Sequence, residues 1–142
     1  MGRIWKGKTV LIAALFLWVL VVRGLTGCTQ NTAPEKVRDL EFTVVGDEEV
    51  PEELKNIIAE KKTAPFKLTY SNGQGLYIVQ GYGEQETGGC SIAVRQLYLT
   101  EDSIVFDAEL IGPEEGEDGG TEKSFPYIVV KTEFLENPVI FQ

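Results

Sequence analysis

Ile92 to Leu110 reads IAVRQLYLTEDSIVFDAEL. Ile92 and Val94 alternate with their neighbours, and Leu97 and Leu99 alternate in the opposite phase. Period two is the spacing of a half-buried strand. A change of phase by one residue predicts an extra residue in the ladder, a β-bulge near Arg95-Gln96. Glu101-Asp102 then turns the chain, and Ile104, Phe106, Ala108 and Leu110 resume period two. Two such runs joined by a short polar turn read as an antiparallel pair.

The flanking segments extend this β reading. Leu76-Tyr77-Ile78-Val79 is continuously apolar, as a strand buried on both faces would be. Phe66, Leu68 and Tyr70 alternate before it, and Ser71-Asn72-Gly73-Gln74-Gly75 between the two supplies an Asn-Gly turn signal for a hairpin. Leu40, Phe42 and Val44 alternate as a half-buried strand. Phe125 to Val130 (FPYIVV) is the last strong strand, and Val139-Ile140-Phe141 adds an edge strand. One helix interrupts the pattern, over about residues 51–62. Leu54, Ile57 and Ile58 share a face, Pro51 suits the first turn, and Glu52-Glu53 and Lys61-Lys62 complement the helix dipole. The fold class is therefore mainly β (α+β): a small antiparallel, sandwich-like domain of about six or seven strands with its helix on one face or end.

The N-terminus is of a different kind. Arg3, Lys6 and Lys8 precede a continuous apolar run from Thr9 to Val22, and Leu25-Thr26-Gly27-Cys28 follows. The run falls short of the roughly 17–25 residues that a spanning helix needs and fits a signal h-region. The arrangement resembles the lipobox of bacterial lipoproteins. It implies cleavage before Cys28, a diacylglyceryl group on that thiol, and a lipid-anchored protein on the extracytoplasmic face of the cell membrane. Arg23 between the run and the lipobox is unusual for such signals and opposes efficient processing; an uncleaved N-terminal anchor would leave the body on the same side. The expected organisation is a signal peptide over 1–27, a flexible tether over 28–38 and a β domain over 39–142.

Composition narrows the chemistry. The chain carries 13 basic and 22 acidic residues, a net charge of −9. Loss of residues 1–27 removes Arg3, Lys6, Lys8 and Arg23, leaving 9 basic against 22 acidic residues, a net −13. Such a surface repels nucleic acid and anionic headgroups and favours a basic partner. There is no histidine, and Cys90 is the only cysteine besides Cys28. Ser-His-Asp and Cys-His sites, and zinc sites built on histidine or several thiolates, are thereby excluded. No cofactor, metal or catalytic residue is expected.

Thr87-Gly88-Gly89 leads into a strand and a meander, and Phe125-Pro126-Tyr127-Ile128-Val129-Val130-Lys131 comes roughly forty residues later. This combination resembles the PrcB C-terminal domain family of small bacterial lipoproteins. The resemblance implies association with, or stabilisation of, an extracytoplasmic protease or protease-complex subunit. The family commonly has an aromatic residue after Thr-Gly-Gly, where this chain has Cys90.

Gly81 to Gly89 is the sharpest candidate for a partner-binding surface. Four glycines in nine residues permit positive φ and close approach of another backbone. Tyr82 suits a contact anchor, and Glu84, Thr87, Gly88, Gly89 and Cys90 complete the candidate set. The plainer reading is a structural turn. The alternative function is inhibition, by insertion of this loop into a protease cleft; a threonine-glycine loop between strands is similar to that of chagasin-type cysteine-protease inhibitors, although their full motif is lacking. Three other features have plain explanations. Glu114, Glu115, Glu117, Asp118 and Glu122 read as a solvated charge run rather than a calcium loop. Glu84 and Glu86 share a strand face, as a glycosidase pair could, but have no evident sugar platform. Cys90 lacks a neighbour that would lower its pKa. Phe66, Tyr70, Tyr77, Phe106, Phe125 and Tyr127 are assigned to the core.

Overall fold

The computed structural model describes residues 34–142. The expected leader over 1–27, Cys28, and the tether up to residue 33 lie outside them. In the described part, β5 (Ser91–Thr100) and β6 (Ile104–Ile111) form the antiparallel pair anticipated from their alternation. The register slips between Val94 and Gln96, which makes Arg95 the bulge residue. The turn between the strands closes on itself: the Thr100 N–H donates to the Ser103 carbonyl at 2.8 Å, and the Ser103 N–H donates to Thr100 Oγ1 at 3.0 Å.

Two four-stranded sheets result. The first has the order β1 (Lys36–Asp39), β5, β6, β8 (Val139–Phe141). The second has the order β2 (Phe42–Val44), β7 (Tyr127–Thr132), β4 (Leu76–Tyr82), β3 (Pro65–Ser71). Leu97, Ile104, Phe106 and Ala108 from the first sheet pack against Leu76, Ile78, Ile128 and Val130 from the second. Tyr77, Val79 and Val129 point the other way, onto Leu54 and Ile58 of the helix α1 (Glu52–Lys61). The architecture is sheet, sheet and helix in three layers. It explains why Leu76 to Val79 is apolar at every position: the strand lies in the middle layer and buries both faces.

Several expectations are corrected. The mainly β class with one helix holds; the described residues form eight strands where about six or seven were expected, and β8 runs parallel to β6. The tether was expected to reach residue 38, yet Lys36–Asp39 is a strand paired with β5. All four of its side chains are exposed, so it carries no alternation; backbone bonding to the open edge of β5 orders it, with surface contacts of Arg38 to Glu133 and of Lys36 to the Tyr98 ring beside it. The half-buried strand expected at Leu40–Val44 is divided. Leu40 is buried at the crossing between the sheets, where its N–H donates to the Leu97 carbonyl at 3.0 Å. Phe42 and Val44 are exposed on an edge strand, and Val45 is the next buried residue. Pro51 caps α1 from outside rather than occupying its first turn. The last strong strand begins at Tyr127, after Phe125-Pro126. Of the six aromatic residues assigned to the core, only Tyr77 and Phe106 are buried. Phe66, Tyr70 and Tyr127 are half-buried around the helix-side cluster, and half-buried Phe125 has Lys62 Nζ 5.7 Å from its ring centre. Among the described residues no helix is long and apolar enough to cross a membrane.

Candidate functional site

Gly81, the first residue of the candidate loop, still belongs to β4. It sits opposite Phe66 on one side and Tyr127 on the other. A Cβ there would lie 2.1 Å from the Phe66 ring, so the ring lies directly over the glycine. Gly83 (φ 74°) and Gly89 (φ 76°) take left-handed conformations that only glycine adopts freely.

Beyond Tyr82 the loop is tied to the segment 112–124. The Tyr82 N–H donates to the Pro126 carbonyl at 3.0 Å, and Gln85 and Ser124 exchange both main-chain hydrogen bonds at 2.8 and 3.0 Å. Ser124 Oγ donates to the Thr87 carbonyl at 2.7 Å, and the Gly88 N–H donates to the Gly119 carbonyl at 2.9 Å. Lys123 Nζ meets Glu84 Oε1 at 2.6 Å. A Cβ on Gly119 would fall 2.5 Å from the Gly88 carbonyl oxygen, so this crossing needs bare backbone. The two glycine-rich loops make one braced projection. This refines the reading of 112–124 as a free charge run: Glu114, Glu115, Glu117, Asp118 and Glu122 are exposed, but Gly119, Lys123 and Ser124 hold the neighbouring loop. Among the described residues no group of three or more acidic or thiol side chains is placed to hold a metal ion.

The structure therefore brings Glu84, Thr87, Gly88 and Gly89 together and sends Tyr82 elsewhere. Cys90 is half-buried with a free thiol. Tyr82, expected as a contact anchor, follows the inward phase of Leu76 and Ile78 along β4 and turns its hydroxyl into the protein, where that atom is buried and has no hydrogen-bond partner. Burial, and secondarily the charge of Asp107, push its phenol above the ordinary value. Gln80, one inward position earlier, was not singled out from the sequence. It is only 6% exposed, and its Oε1 is also buried without a partner. A buried polar atom left unpaired costs about 1–3 kcal/mol. The signal that could have found Gln80 is the break in the inward series Leu76, Ile78, Gln80, Tyr82, where amide and phenol replace aliphatic side chains.

On the opposite face of the same sheet, Tyr127 donates its hydroxyl to Asp47 Oδ1 at 2.8 Å. Burial first, and this bond second, push its pKa up to about 12.

Residues 76–133 match the family model described as PrcB C-terminal. The match runs from β4 to just past β7 and supports the resemblance seen in the sequence; it takes in both braced loops and leaves out β1, β2, α1, β3 and β8. No curated protein and no solved structure matches the chain.

Proposed function

Taking the PrcB C-terminal segment as premise, we propose that this protein is a non-enzymatic interaction domain that associates with an extracytoplasmic protease or a subunit of a protease complex. A lipid on Cys28 would hold it at the extracytoplasmic face of the cell membrane and concentrate it near such a partner. The observation that carries this reading is the coincidence of the family match with the braced loop pair: the matched segment begins and ends on the two strands, β4 and β7, from which both loops spring. Glycine at Gly88 and Gly119, used to bring two loops into backbone contact, builds a stiff projection at a sheet end, and a surface already stiff loses little entropy when it docks. Glu84, Thr87, Gly88, Gly89 and Cys90 lie on or beside that projection and are the proposed contact residues, while Tyr82, at the end of β4, faces the space between the sheets.

Co-purification from detergent-solubilised membranes tests the association. The expected result is recovery of a protease subunit with the wild-type chain and a loss of about tenfold with Gly88→Asp, whose Cβ would stand 3.1 Å from the Gly119 carbonyl oxygen and whose carboxylate is added to the proposed contact surface. Equal recovery by the variant, or no protease with either chain, would count against the reading. Mass spectrometry of the mature N-terminus tests the anchor separately, since Arg23 bears on processing and not on the domain.

Inhibition by insertion of the Gly81–Gly89 loop is the second reading. The bracing favours it to this extent: a loop held in one shape enters a cleft at lower entropic cost. Cysteine and serine proteases that retain full activity with saturating domain would dismiss it for those enzymes.

A further inference from the structure

At the end of β6 that carries Ala108 and Leu110, the two sheets leave an open, shallow cavity of about 860 Å³ at the surface. Gln80 and Tyr82 line it from β4, with Ala108 and Leu110 across from them. Asp107 and the ion pair of Arg95 with Glu109 stand at its rim. The only two buried side-chain polar atoms without a hydrogen-bond partner among the described residues, Gln80 Oε1 and the Tyr82 hydroxyl, both belong to residues of this cavity. Buried polar groups are otherwise nearly always paired, so two orphans on one cavity point to a missing ligand group.

The chemistry of the lining selects that group. Gln80 Oε1 and the Asp107 carboxylate only accept hydrogen bonds, a neutral phenol both accepts and donates, and the side-chain amides of Gln96 and Gln142, which complete the lining, do both. The one cation of the lining, Arg95, is already engaged by Glu109. The two orphans call for a hydrogen-bonding group that donates N–H, and the carboxylate of Asp107 beside them favours a donor that carries positive charge. A guanidinium offers five in a plane, and the aliphatic stem of an arginine fits against Ala108 and Leu110. The excess of 22 acidic over 13 basic residues adds a field that draws a cation in.

We propose that the inter-sheet mouth at Gln80 and Tyr82 is a socket for an arginine side chain presented by the partner protein. The proposal rests on the interaction reading above for the source of that arginine, but not for the existence of the socket.

The test titrates the full chain in detergent with N-acetyl-arginine N-methylamide and, in parallel, with the citrulline analogue, which keeps the shape and loses the charge. NMR reports the Gln80 side-chain amide and the Ala108 and Leu110 backbone amides. The expected result is a saturable shift of these signals by the arginine probe in the millimolar range, at least about tenfold weaker with citrulline, and abolished in Gln80→Leu while the rest of the spectrum is unchanged. Absence of a saturable shift up to about 100 mM, or equal responses to the two probes, would overturn the socket and leave those atoms to water. Protease capture separates the two proposals. A Gln80→Leu chain that captures protease at the wild-type level removes the arginine from the interface and leaves the interaction reading standing. A chain that binds the arginine probe and recovers no protease does the reverse.

Discussion

The two ends of β6 treat buried polar groups in opposite ways. At its start, Thr100 and Ser103 are buried, with 2% and 3% exposure, and each supplies the other's needs. Thr100 Oγ1 lies 2.7 Å from Ser103 Oγ and accepts from the Ser103 N–H. At its far end, across the gap, Gln80 and Tyr82 are turned inward with nothing to bond. A sandwich that needed only to fold would finish both ends in the first way, because a paired hydroxyl costs little and an orphaned amide costs much. The difference marks the closed end as structural and the open end as the place where the fold has given up stability, as binding sites do.

Three substitutions bear on that contrast, in falling order of effect. Phe106 lies between the two ends, fully buried with its ring edge-on to Phe141 at 5.8 Å. Phe106→Ala should cost about 3–5 kcal/mol, read as a lower urea midpoint, and should loosen both ends together. If amide exchange accelerates at one end alone, the ends are not coupled through this core. Thr100→Val keeps the shape and strands the Ser103 N–H and hydroxyl; the expected loss is about 1–3 kcal/mol with an unchanged m-value. At the open end the same kind of change should have the opposite sign. Gln80→Leu removes an orphan and adds apolar contact, so it should raise stability by about 1 kcal/mol, seen as a higher melting temperature. A destabilised Gln80→Leu would mean that the amide is held by the fold and that the contrast between the ends is false.

How much of this was legible in the sequence depends on whether side chains or backbone made the decision. The bulge at Arg95 and the two-faced burial of Leu76–Val79 were legible because each imposes a period on side chains that face a core. β1 was not, because an exposed edge strand that buries no side chain has no need of an apolar period. The division at Leu40 was hidden for a related reason: Leu40, Phe42 and Val44 keep an intact alternation although the chain changes sheets within it, and only Leu40 enters the core. In the candidate site, Gly88 and Gly89 were legible as glycine-rich loop positions. The tie of Gly88 to Gly119, and of Gln85 and Thr87 to Ser124, was not, since it runs mostly through main-chain atoms and depends on β4 and β7 being neighbours. The inward turn of Tyr82 was not legible either, because the glycines on both sides of it read as loop where β4 continues and keeps its inward phase.

The smallest expected effect compares two phenols at one level of the middle sheet. Tyr127, paired with Gly81 in the ladder, has its hydroxyl satisfied by Asp47, whereas Tyr82, the next residue after Gly81, has none. Both phenols are raised, Tyr127 to about 12, so both hold their protons in the folded state at a pH where the unfolded chain has lost them. A raised folded pKa contributes stability that is fully present below the unfolded value near 10 and is lost as pH rises through the folded value. Stability should therefore fall between about pH 10 and pH 12. Tyr127→Phe should flatten that fall, by less than about 1 kcal/mol because the partly exposed ring is screened by solvent. Tyr82→Phe should flatten it less, since burial and the charge of Asp107 act there without a hydrogen bond. Urea midpoints at pH 8, 10 and 11.5 for the three chains would measure it. If the Tyr82→Phe profile is the flatter of the two, the hydroxyl at the open end has a partner, and the orphan that distinguishes this end of the sandwich is already satisfied by the protein itself.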